Sequence, residues 1–131
     1  MAIEFIKDNP TTIRCVYQGK WTWAEFYENQ KEIMAFLDQT THPTDIIIDL
    51  RESDGLPSGA LGHLKNMKYV SHPQLSTTIL LGATMFLQAM ATMLQKVRPD
   101  IGESIFLDTL EEAHTYLSEI RSRGENTTNS Q

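Results

Sequence analysis

Asp45-Ile46-Ile47-Ile48-Asp49-Leu50 is the stretch that decides the fold. It is β-branched and continuously apolar between two aspartates, which suits a central strand covered on both faces. Arg51–Pro57 follows as a polar, glycine-containing loop. Ser58–Ser71 then reads as a helix, with Leu61, Leu64, Met67 and Val70 or Ala60 inside and Lys65 and Lys68 outside. A buried strand that runs through a short loop into a helix is the building unit of an α/β protein.

The same unit continues downstream. His72-Pro73 echoes His42-Pro43, Thr77–Gly82 is a second apolar strand, and Met85–Val97 is a helix ended by Arg98-Pro99. Ser104–Asp108 is a last short strand, and Thr109 with Glu112 has capping-box spacing for a helix to about Arg121. Upstream, Ile3–Ile6 and the alternating run Ile13–Gln18 flank a turn at Asp8-Asn9-Pro10-Thr11, which predicts a hairpin. Ile13, Cys15 and Tyr17 share one face of it. Thr22 and Glu25 open the first helix, and Pro43 closes that segment. The expected order is β-β-α-β-α-β-α-β-α, an α/β fold with a mainly parallel sheet, an N-terminal hairpin and helices packed on the sheet. Residues 1–122 are expected to form a single domain, and 123–131 a polar, disordered tail.

The chain has 131 residues, enough to bury a proper core. Its 17 Asp and Glu against 11 Lys and Arg disfavour a nucleic-acid binder, which needs a basic face to displace counterions. No run reaches the roughly 20 apolar residues of a membrane span. Met1-Ala2-Ile3-Glu4-Phe5 lacks the basic region and long apolar run of a signal peptide, so a cytoplasmic protein is expected. Cys15 is the single cysteine and reads as a small core residue.

In open α/β sheets, ligands and chemistry concentrate where a strand hands over to a helix. Here that place is Ser53-Asp54-Gly55-Leu56-Pro57-Ser58-Gly59. Ser58 is expected at or near the helix N-terminus, where free N–H groups favour negative charge and a phosphate on serine is well placed. Gly59 would let a partner's backbone come close. Serine is also a favoured N-cap and needs no further role.

With Ile46-Ile47-Ile48-Asp49-Leu50 and Pro57-Ser58-Gly59-Ala60-Leu61-Gly62 in that order, the chain resembles the STAS-like domains. These include bacterial anti-sigma-factor antagonists and a broad set of uncharacterised relatives. The family's motif has the form Asp-Ser-Ser-Gly-Leu-Gly, and in many antagonists a serine of it is phosphorylated by a partner anti-sigma kinase. Ser58 and Gly59 match the Ser-Gly pair. Leu56 stands for the aspartate, Pro57 for the first serine, and Ala60-Leu61-Gly62 carries one residue more than Leu-Gly. The pattern looks closer to the uncharacterised branch, which resembles half of a lipid-binding domain of the SEC14 type. The resemblance implies a non-enzymatic regulatory or interaction module of a bacterial cell. It implies Ser58 as phosphoacceptor and a regulatory kinase or sigma-regulator-like protein as partner. Ser53, Asp54, Leu56, Pro57 and Gly59 would make up the binding surface.

The helix Met85–Val97 is apolar nearly all the way round. Such a helix is normally sandwiched between layers, and a self-association face giving a homodimer is the next expectation. Its Met-rich makeup also suits an adaptable surface, so Phe86, Met90 and Met93 are candidates for an apolar interface or a lipid-like ligand site. A small-ligand carrier or sensor is therefore the alternative function. An enzyme has little support: Asp49, Glu52 and Asp54 read as turn chemistry, and His42, His63, His72 and His114 are dispersed, with no metal-site spacing. No metal or cofactor is expected.

Overall fold

The computed structural model describes residues 2–129. Strands β1 (Ile3–Asn9) and β2 (Thr12–Gly19) form the expected hairpin, and β2 passes through α1 (Trp23–Gln39) to β3 (Thr44–Ser53). After β3 come α2 (Ala60–Lys65), a 3-10 turn at Tyr69–Ser71 and β4 (Leu75–Leu81). The chain continues as α3 (Met85–Val97), β5 (Ser104–Leu107) and α4 (Leu110–Asn129). The strands lie in the order β1-β2-β3-β4-β5, with β1 antiparallel to β2 and every other pair parallel.

Each parallel step moves to the adjacent strand in one direction. Right-handed crossovers then put α1, α2 and α3 on the same face of the sheet. Ile46 and Ile48 point to that face and join Ile13, Cys15, Phe26, Ile33 and Leu37 in the larger core. Ile47 points the other way, into a second core with Ile79, Leu81, Ala113 and Leu117 under α4. The isoleucine run is thus covered on both sides, as its composition predicts.

Helix α1 starts where expected. Thr22 accepts from the Glu25 N–H and the Glu25 carboxylate accepts from the Thr22 N–H, completing the capping box. Glu25 also takes the Ala2 N–H, and these backbone hydrogen bonds hold its carboxyl below the ordinary carboxylate range. Cys15 is fully buried, and burial pushes its thiol up to about 12.

The second helix differs from the sequence expectation. Instead of one helix over 58–71, α2 has six residues and the chain turns again at Tyr69–Ser71. Gly62 and Asn66 are weak helix formers, and the Asn66 side chain donates back to the Gly62 carbonyl. Arg98, beyond α3, donates to the carbonyls of Lys65 and Met67. The Lys68 N–H goes to Gln30 on α1. With those groups taken by distant side chains, no helical ladder runs through. At the other end, α4 continues to Asn129 rather than stopping near Arg121. Ser130 and Gln131 of the expected tail lie outside the described residues.

Candidate functional site

The loop between β3 and α2 is fastened at several points. Trp21 donates to the Ser53 hydroxyl at 2.9 Å, and the Ser53 hydroxyl bridges to Gly55. The Asp54 N–H reaches the Gly19 carbonyl at 3.0 Å. Trp23 donates to the Ser58 carbonyl at 2.7 Å. Trp23 also stacks on His63, with centroids 4.4 Å apart, and Tyr27 hydrogen-bonds His63 Nδ1 at 2.6 Å. Three aromatic side chains at the start of α1 thus clamp both ends of the loop.

Ser58 is exposed, but it does not cap the helix. Gly59 holds that position, at φ 82° and with no side-chain cap, because the left-handed backbone there suits glycine. A helix of six residues also has little dipole to offer an anion. Ser58 thus lies near the helix start, one residue before the cap rather than at it. Asp54 and Gly59 are exposed, Ser53 and Pro57 are half-buried, and Leu56 turns inward to the core.

Asp49 does not join Glu52 and Asp54 in an acidic cluster. It faces the α4 side, where Arg51 grips it in two hydrogen bonds of 2.9 and 2.7 Å and Arg14 lies 3.7 Å away. Burial pushes its carboxyl up. The hydrogen bonds and charge of Arg51, with Arg14 adding, outweigh that and leave the carboxyl below its ordinary range. Arg14 continues to Asp8, which His114 meets at 3.1 Å, and Arg121 pairs with Asp45. Among the described residues no three His, Cys, Asp or Glu side chains converge as metal ligands.

The feature that sequence reading missed is a cavity of about 370 Å³ on the other face. Its floor is β3, β4 and β5, through Ile48, Leu50, Thr78, Leu80 and Ser104. One wall is Leu64, Met67, Tyr69 and Val70; the facing wall is Leu87, Ala91 and Leu94 of α3. Trp21, Phe26 and Leu56 close one end, and Asp100 to Glu103 line the other. Arg98 ties the two walls together and is held in turn by Asp100 at 2.6 Å. The gap exists because the α2 segment is short and α3 offers only a methyl at Ala91.

Helix α3 meets the cavity with residues other than those singled out. Met90 is buried in the core, while Phe86 is 68% and Met93 46% exposed on the outer side. The sandwiched helix expected from its composition is in fact covered on one side only, with Met85 86% and Val97 59% exposed. A cavity lined from β2, α1, β3, α2, the 3-10 turn, β4, α3 and β5 leaves no local motif. The loop clamp did leave one signal: Trp23 and Tyr27, which hold Ser58 and His63, are four residues apart on one helix face.

The site thus sits in an α/β fold: a five-stranded mixed sheet with an N-terminal hairpin, three helices on one face and a fourth on the other. No family model and no curated protein matches the chain. Its fold is shared by several solved structures, two of which illustrate the likeness. One is an uncharacterized protein of the DUF3478 family with a SpoIIAA-like fold, from Shewanella loihica PV-4. It is 18% identical, with a TM-score of 0.63, over 88% of this chain and 92% of that one. The other is the anti-sigma factor antagonist SpoIIAA in its unphosphorylated form. It is 17% identical, with a TM-score of 0.56, over 92% of this chain and 98% of that one. At such identities the likeness is one of fold. Among the described residues no helix is long and apolar enough to cross a membrane.

Proposed function

We propose that this chain is a non-enzymatic cytoplasmic regulatory domain that binds a small apolar ligand between α2 and α3. The cavity is the observation that carries the reading. Its volume of about 370 Å³ falls within the range of small-molecule sites, and its lining mixes an apolar majority with a few polar groups. Native mass spectrometry of freshly purified protein should show a co-purifying ligand. A ligand at about 100 times its Kd should add about 2.7 kcal/mol of stability. A clean unliganded mass, with no thermal shift from added lipids, contradicts the proposal.

A second reading concerns the loop Ser53–Gly59 as a protein-binding surface. Two things favour it: the exposed Ser58 beside Gly59, and the regulatory role named for SpoIIAA, the anti-sigma factor antagonist. Leu56 belongs to this loop and also closes the cavity, so a ligand would press on the surface that a partner reads. Purified wild type, Ser58→Glu and Ser58→Ala should recover different sets of native partners. Identical sets, or none, would remove Ser58 as a switch.

A further inference from the structure

We propose that the cavity takes an uncharged amphiphile, an apolar body with one hydroxyl, carbonyl or amide head. The inference rests on the ligand-binding reading above and adds the chemistry of the ligand.

Tyr17 and Tyr69 line the cavity and are 3% and 4% exposed. Neither hydroxyl has a hydrogen-bond partner among the described residues. Yet no fully buried polar side-chain atom there lacks a partner, so both hydroxyls reach open space. The open space that they border is the cavity. Burial pushes both phenols above their ordinary range, so they remain neutral. Thr78 and Ser104, register partners on β4 and β5, add two more hydroxyls with no partner among the described residues. Each of these groups both donates and accepts. They match a neutral polar head without a charge having to leave water.

A carboxylate or phosphate head has no such match. Among the described residues no lysine or arginine lines the cavity. The guanidinium beside it, Arg98, is engaged by two carbonyls and by Asp100. His72 has both ring nitrogens occupied, one by the Gln74 N–H and one by Asp38. Glu103 brings a further carboxylate to the same end. An anionic head would enter beside like charge and lose its hydration with no counter-charge to replace it.

Three probes with one apolar body separate the cases: decanol, decylammonium and decanoate. Each is titrated into the full chain and followed by calorimetry, decanol below its solubility limit and the two ions below their micelle concentrations. Decanol should bind most tightly, with decanoate weaker by about tenfold or more. Replacing both phenols, Tyr17→Phe with Tyr69→Phe, should lower decanol affinity about fivefold. The ranking on wild type decides the matter even where that double variant fails to fold. Decanoate binding as tightly as decanol, or decylammonium binding most tightly, overturns the uncharged ligand and leaves the cavity a ligand site. Binding of none of the three overturns both.

Discussion

On one face of the sheet, Ile46 and Ile48 lie against three helices in a core that is apolar but not filled. On the other, Ile47 lies under α4, flanked by Asp45 and Asp49, whose charges are met by Arg121, Arg51 and Arg14. The first face has spare volume and hydroxyls without a partner among the described residues. The second has polar groups in its interior, each with a partner. A fully partnered polar network fixes geometry, whereas unfilled apolar space beside free hydroxyls is what a ligand can occupy. The proposed function follows this contrast, with structure on the α4 face and binding on the face of α2 and α3.

The largest effect is expected in the packed part of the apolar face. Ile46 is fully buried, and Ile46→Ala should cost about 3 kcal/mol in urea unfolding. A loss well under one would mean that this core is loose throughout and the cavity unremarkable. On the ionic face, Asp49→Asn should cost about 2 kcal/mol at neutral pH, because Arg51 loses its charge partner and Arg14 keeps only Asp8. The pH dependence gives the sign. The Asp49 carboxyl lies below its ordinary value of 3.8, so its contribution is full above that pH. It is lost as the pH falls through the folded value. Stability curves of wild type and Asp49→Asn should therefore converge in acid, and parallel curves would remove the network from the account.

Smaller effects sharpen the comparison at the loop. Trp23→Phe removes the hydrogen bond to Ser58 while keeping most of the stack on His63, and should cost about 1 kcal/mol. Proteolysis between Ser53 and Gly59 should speed up accordingly; an unchanged rate would mean that the clamp does not hold the loop. The smallest effect is the most telling. Ala91→Phe should change stability by less than about 0.5 kcal/mol and abolish ligand binding, because the ring enters space that is empty. In a closed core the same overpacking costs about 1–3 kcal/mol.

The fold was largely legible because its signals are local. The isoleucine run, the capping box of Thr22 and Glu25 and the alternation of Ile13, Cys15 and Tyr17 each act over a few residues. The break in the second helix was only partly legible: Gly62 and Asn66 weaken it locally, but Arg98 and Gln30 take its backbone groups from more than 30 residues away. The site was less legible still. Ser58 was read as a cap because serine favours that place, yet a left-handed glycine one residue on holds it. The cavity depends on what eight elements, the 3-10 turn among them, leave unfilled, and Met90 and Met93, prominent in the sequence, do not line it.

The contrast between the faces can be read in one measurement. Methyl chemical shifts of the full chain, recorded during a decanol titration, report both faces at once. The account predicts that Leu56, Leu80, Leu87 and Leu94 shift with a common saturation, while Ile47, Ile79 and Leu117 stay in place. Shifts spread equally over both faces, or confined to the α4 face, would contradict it.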